Sequence, residues 1–273
     1  MDLINDEQQL EKSEEEIRKN RIETRMTVGT WLVIFLAWYV ITKLEVFSPT
    51  LVPSPYRVWN AFLELLKTGY NGVSLWLHLG SSFKRLFVAL GFAILTAIPL
   101  GLLSGYFSKI EAIIDSVVEF YRPLPPLAYY TLLILWFGIE DTSKEILLFL
   151  AAFAPIYIAC VAAVSKVNKD YILSAKSLGA DQKDVFFRIV LPACMPEIFT
   201  GIRTAFGISY TTLVSAEMIA ATSGIGWMVL DASNFLKSDI IFVGIIIMGI
   251  SGVSIDAVLR FIEKKVVFWK GQV

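Results

Sequence analysis

Residues 86–106 read LFVALGFAILTAIPLGLLSGY, with no charged side chain among them. A helix needs about 20 mainly apolar residues to cross a bilayer, so this stretch alone is long enough. Comparable runs lie on both sides of it: residues 27–44, residues 146–164 with Pro155 inside, residues 193–221 with many polar side chains, and residues 240–261. The segment 110–139 is also apolar but is interrupted by Arg122, Pro123, Pro125 and Pro126. In hydrocarbon such a break is tolerated only where protein or a water-lined cavity satisfies the freed carbonyls. With the interrupted run counted as a crossing, the sequence predicts an all-α integral membrane protein of six transmembrane helices.

Composition agrees. Of 273 residues, 56% are hydrophobic and 18% charged, against roughly 45–50% and about 25% in a soluble domain. No basic run with interleaved aromatics points to nucleic acid. Cys160 and Cys194 have no second thiol or histidine at metal spacing, and His78 is the sole histidine. All three read as packing residues, and no metal is expected. The first 25 residues are acidic and then basic and lead into the first run without a small-residue cleavage site. That run is therefore expected to be retained, after a polar tail over 1–26.

Between the first and second runs, Pro49, Pro53 and Pro55 break any continuous helix, and residues 56–67 form an amphipathic stretch. Gly101 and Gly105 offer a close-approach surface for a neighbouring helix. Residues 222–239 open on Ser223, Gly224 and Gly226, which read as a turn followed by a short polar segment. Six crossings leave both termini on one side. That side carries about twice as many Lys and Arg as the other, among them Lys12, Arg18, Lys19, Lys109, Lys264, Lys265 and Lys270, so both ends are predicted to be cytoplasmic. Lys84 and Arg85 oppose the trend and are expected to snorkel to the outer interface.

The most informative stretch is 170–192, DYILSAKSLGADQKDVFFRIVLP. It reads as a short helix ended by Gly179 and a second opened by Asp181, with Leu178 and Ala180 at the apex. Such a two-helix element suits a groove on a soluble partner; a solvated connecting loop is the plainer alternative. The spacing of Ala175, Gly179, Ile189, Leu191 and Pro192 resembles the cytoplasmic signature of binding-protein-dependent ABC importer permeases, E-A-A-x3-G-x9-I-x-L-P. The match departs at the start, where Leu173 replaces the Glu and Ser174 the first Ala. Residues 121–128 (YRPLPPLA), 136–139 (WFGI), 142–144 (TSK), 201–203 (GIR), 213–222 (LVSAEMIAAT) and 224–226 (GIG) resemble the taurine, alkanesulfonate and nitrate branch, most of all its taurine permeases. The similarity spans about 27–271.

That resemblance implies a type I importer permease domain over 27–273 with a coupling loop at about 165–191, in which Ala175, Leu178, Gly179, Ala180, Asp181, Ile189, Leu191 and Pro192 face the ATPase. It implies a prokaryotic inner-membrane complex with a second copy of the chain, two ATP-binding subunits and an extracytoplasmic solute-binding protein. No G-x-x-x-x-G-K-[ST] phosphate loop occurs in the chain, so ATP and Mg would reside on the partners and this subunit would bind no cofactor and catalyse nothing itself. The expected cargo is a small sulfonate, foremost taurine, with nitrate, an alkanesulfonate or another small organic anion as alternatives. A stand-alone secondary carrier is the competing class, and such a carrier has no use for a docking element.

Charges at membrane depth are costly unless paired or wet, so each marks a candidate site. Arg122, Pro123, Pro125 and Pro126 at the break, with Arg203 and Glu217 in the fifth run, form the candidate translocation pathway. Arg203 and Glu217 lie roughly 21 Å apart along one helix and cannot meet. Arg122 follows Glu119 at pairing distance, and Asp256 with Arg260 has i, i+4 spacing; both are plain structural ion pairs by sequence.

Overall fold

The apolar runs become helices because a backbone in hydrocarbon must satisfy its own hydrogen bonds, which an α-helix does within one segment. The computed structural model describes residues 2–269, with side chains at residue 18 and from residue 21 onward. The side chains of Lys12, Lys19 and Lys270, used above for orientation, lie outside the described residues.

Helix α1 (Asp2–Lys43) carries the first crossing at its C-terminal half. A proline-bearing turn leads to α2 (Pro55–Thr68), capped by the Ser54 hydroxyl with Pro55 in the first turn. Helix α3 (Leu75–Tyr106), capped by Ser74, starts eleven residues before the charge-free run. The interrupted run divides into α4 (Ser108–Tyr121) and α5 (Pro126–Phe137). At 14 and 12 residues they measure about 21 Å and 18 Å. Neither spans a ~30 Å core alone, so only the pair completes a crossing. Helices α6 (Asp141–Lys166), α9 (Leu191–Ala220) and α11 (Ser238–Val266) supply the remaining crossings. Short helices α7 (Lys169–Ser177) and α8 (Gln182–Val185) sit between α6 and α9, and α10 (Ile225–Asn234) between α9 and α11.

Helices α3, α6 and α9 form the centre. Their facing sides contribute Leu86, Ala93, Ala97, Ala152, Ile156, Cys160, Cys194, Ala205 and Leu213, all buried. Small residues set the spacing: a Cβ on Gly101 would stand 2.6 Å from Cys160 Cβ, and one on Gly105 2.6 Å from Val164 Cβ. The paired glycines thus pack α3 on α6, as their spacing predicted. A second cluster joins α2, the start of α3, α10 and α11 through Val58, Leu65, Leu75, Met228 and Val243.

Alternating chain direction gives the bundle two ends. One, the hairpin end, holds the end of α3, α7, α8 and the end of α11. The far end holds α2, the start of α3, the start of α6, the end of α9 and α10. Two expectations need correction here. Residues 225–234 are not a polar segment but helix α10, which buries Ile225, Met228, Val229 and Ala232. Arg85 does not snorkel: it is 4% exposed because two carboxylates neutralise it inside the bundle. Lys84 alone reaches outward, 3.5 Å from Asp141.

Candidate functional sites at the two ends of the bundle

At the hairpin end, α7 stops in a glycine cap. Gly179 takes φ +88°; its N–H donates to the Lys176 carbonyl (3.0 Å) and the Ala180 N–H to that of Ala175 (3.0 Å). This double bond pattern is a Schellman cap, which satisfies carbonyls that the helix end leaves open. Asp181 then caps α8 by accepting from the Asp184 N–H at 2.7 Å. Ala175 and Ala180 both pack on the central core, so the turn is held from below. Leu178 points away, 89% exposed, and a Cβ on Gly179 would meet nothing within 4 Å. The apex is therefore rigid, small and bare on its outer side.

Past α8 the chain makes a π-turn over Phe186–Val190, closed by the Leu191 N–H bonding to the Phe186 carbonyl five residues back. Pro192 has no N–H for the ordinary bond to residue 188, and a widened turn accommodates that loss. Ile189, Leu191 and Pro192 thus join the hairpin to α9 without a gap in the helix.

Of the pathway candidates, Arg122 ends α4 and is exposed with Pro123 and Pro125, while Pro126 starts α5 and is half-buried. Arg122 forms no ion pair with Glu119 among the described residues. The break is partly self-satisfied, since the Leu124 N–H donates to Tyr121 and the Ala128 N–H to Pro125. Beside it, Ile113, Val117, Phe120, Leu135 and Trp136 leave an apolar face uncovered. Arg203 bonds Asp256 (3.1 Å) and faces Glu263 (3.5 Å) on α11. Arg260 also pairs with Asp256, so the expected i, i+4 pair is one limb of a larger cluster. It borders a cavity of about 470 Å³ with Lys264, Val267 and Phe268.

Glu217 lies at the far end and is enclosed, 1% exposed. Arg85 Nη1 donates to its Oε1 at 2.7 Å, the Ser82 hydroxyl lies 2.8 Å and 3.0 Å from its two oxygens, and the Gly226 N–H donates to Oε2 at 2.9 Å. Arg85 also bonds Asp141 through Nε (2.7 Å) and Ser223 through its carbonyl (2.9 Å) and hydroxyl (3.2 Å). Gly224, at φ +125°, has no room for a Cβ, which would fall 2.3 Å from the Glu217 carboxyl carbon. Its N–H donates to His78 Nδ1 (3.2 Å), and the His78 ring stacks on Trp227. Breaking a buried ion pair of this kind costs roughly 3–5 kcal/mol, since it strands the surviving charge.

Nearby, the Tyr70 hydroxyl donates to Asp231 at 2.8 Å, and Asn71 bonds the same carboxylate oxygen at 2.9 Å. Burial first, then the bond to Asp231 and its charge, push the Tyr70 hydroxyl up, so it remains a donor. The structure thus separates the fifth-run candidates: Arg203 pairs with α11, and Glu217 with Arg85 of α3. Ser82 and Arg85 were missed as partners of Glu217, and Asp141 as the second carboxylate on Arg85. Two opposite charges near the same end of their apolar runs, Arg85 just before 86–106 and Glu217 four residues before the end of 193–221, were the available signal.

Comparison with known proteins gives the same architecture a family. Residues 97–268 match the model for the binding-protein-dependent transport system inner membrane component. The chain is 38% identical, over 92% of each chain, to the taurine transport system permease protein TauC of Escherichia coli (strain K12). It is 35% identical to the putative aliphatic sulfonates transport permease protein SsuC of Bacillus subtilis (strain 168), over 87% of this chain and 85% of that one. Identity to the nitrate import permease protein NrtB of Synechocystis sp. (strain ATCC 27184 / PCC 6803 / Kazusa) is 28% over 86% of each chain. A broken third crossing, a capped hairpin between α6 and α9, and these matches together place the chain among the inner membrane components of binding-protein-dependent transport systems, as a multi-pass ABC permease of the taurine, sulfonate and nitrate branch.

Proposed function

We propose that this permease imports a small sulfonate, foremost taurine, as a homodimer served by two ATP-binding subunits and an extracytoplasmic solute-binding protein. The observation that carries the substrate is the 38% identity over nearly the whole chain to a taurine permease. The α7–α8 hairpin would dock on the ATP-binding subunit through Leu178 and the bare side of Gly179. Ala175, Ala180, Asp181, Ile189, Leu191 and Pro192 would hold that apex and pass its motion into α9. ATP and Mg would be held by the partners, with no cofactor on this chain. Both termini and the hairpin would face the cytoplasm, in line with the basic residues at that end.

The break at Arg122, Pro123, Pro125 and Pro126 would line the pathway, and the uncovered apolar face of α4 and α5 would meet the second copy. Arg203 would face the pathway from the hairpin half of the bundle. Glu217, enclosed by its own partners, would support the pathway without touching cargo. Selectivity would then come chiefly from the delivering protein.

An alkanesulfonate is the second reading, favoured by 35% identity to a relative named for aliphatic sulfonates. The test is ATP-driven uptake by the reconstituted complex with its binding protein. Labelled taurine should accumulate and excess unlabelled taurine should suppress it, with ethanesulfonate and nitrate weaker competitors. Suppression by ethanesulfonate or nitrate at lower concentration than taurine would reassign the cargo.

A further inference from the structure

The Glu217 carboxylate joins three separate pieces of the far end. Arg85 and Ser82 come from α3, Gly226 from the start of α10, and Asp141, reached through Arg85, from the start of α6. The turn is tied again by the Ile225 N–H to the Ser82 hydroxyl at 3.0 Å, by the Gly224 N–H to His78, and by Ser223 to Arg85. Glu217 itself belongs to α9, whose first turn continues the π-turn behind the coupling hairpin. From Leu191 to Glu217 is about 39 Å at 1.5 Å per residue. One helix therefore has the hairpin at one end and this cluster at the other.

We infer that Glu217 is a positioning residue for transport, a pin that makes the far ends of α3, α6 and α9, the residue 221–224 turn and the start of α10 move as one body. Displacement of the hairpin by the ATP-binding subunits then reaches α10 undiminished. Its charge is matched locally, and no face of its carboxylate is open to cargo. Without the pin, α9 would tilt while the turn and α10 lagged behind. Hydrolysis would continue and delivery would not. The inference rests on membership of the ATP-driven permease family and is independent of which anion is carried.

Two arms test it in the full complex. In the first, Glu217→Gln keeps the shape and removes the charge. Complexes carrying it should assemble and hydrolyse ATP, while taurine imported per ATP falls at least fivefold; a smaller fall overturns the pin. Should Glu217→Gln not assemble, Ser82→Ala, which removes one hydroxyl from the same carboxylate, is read against the same threshold.

In the second arm, Ser82→Cys and Ile225→Cys are combined with Cys160→Ala and Cys194→Ala, and the new pair is oxidised. If α3 and the turn travel together, the oxidised complex hydrolyses ATP within twofold of its own reduced form. Loss of hydrolysis on oxidation beyond twofold, reversed by dithiothreitol, would show that they must separate during the cycle and would overturn the inference. A wild-type complex that imports no taurine would overturn the substrate reading alone, because the second arm reads only hydrolysis.

Discussion

Gly179 occupies the left-handed region at φ +88°, where a side chain costs roughly 1–2 kcal/mol in backbone strain even with open space around it. Gly179→Arg should therefore weaken the cap only slightly, yet place a charged chain on the surface beside Leu178. Membrane insertion should be normal and recovery of the ATP-binding subunit with the tagged permease should drop at least fivefold; undiminished recovery and uptake would put the docking surface elsewhere. Asp181→Ala removes one side-chain bond to the Asp184 N–H and should cost about 1 kcal/mol. Its effect should be a small loss of thermal stability in detergent with assembly retained. Both residues were legible because a glycine stop and an aspartate cap act within three residues of themselves. Arg85 and Glu217 were not, since 132 positions separate them. Arg85 read as a snorkelling interface cation and Glu217 as an isolated cost at membrane depth until the fold brought them together.

Among the helices, hydropathy located the crossings because lipid acts on every residue of a segment at once. It failed for α10, where Gly226 within it, Gly224 just before it and the polar Asp231, Ser233 and Asn234 hid the spacing of Ile225, Met228, Val229 and Ala232. Those four sit at i, i+3, i+4 and i+7, an apolar face that does predict a helix. The α3–α6 crossing sets a clear test: Gly101→Leu must push apart helices whose atoms would already crowd a single Cβ. Overpacking of this kind costs about 1–3 kcal/mol. The melting temperature in detergent should fall by several degrees; no change would mean that the crossing relaxes freely. For the α4–α5 break, single cysteines at positions 124–128 in a background without Cys160 and Cys194 should react with a membrane-impermeant thiol reagent. Their labelling should change when ATP traps the complex. Uniformly unreactive cysteines with transport retained would mark the break as a packed kink.

For the whole molecule, the even number of crossings requires the two termini to share a side. Reporters fused at residue 10 and after the last residue should both signal cytoplasm, and an external signal from either would reverse the charge argument or the count. The six crossings do not contribute equally to the fold. The apolar window of α1 is 0% buried, and it meets the remainder mainly near Trp38, which stacks on Phe242 at 5.6 Å and bonds the Pro53 carbonyl at 3.0 Å. A segment required chiefly to be apolar and long enough can diverge among related chains at almost every position. Across a lineage, α1 should therefore drift fast, with Trp38 as its fixed point, while residues around Glu217 change only in concert.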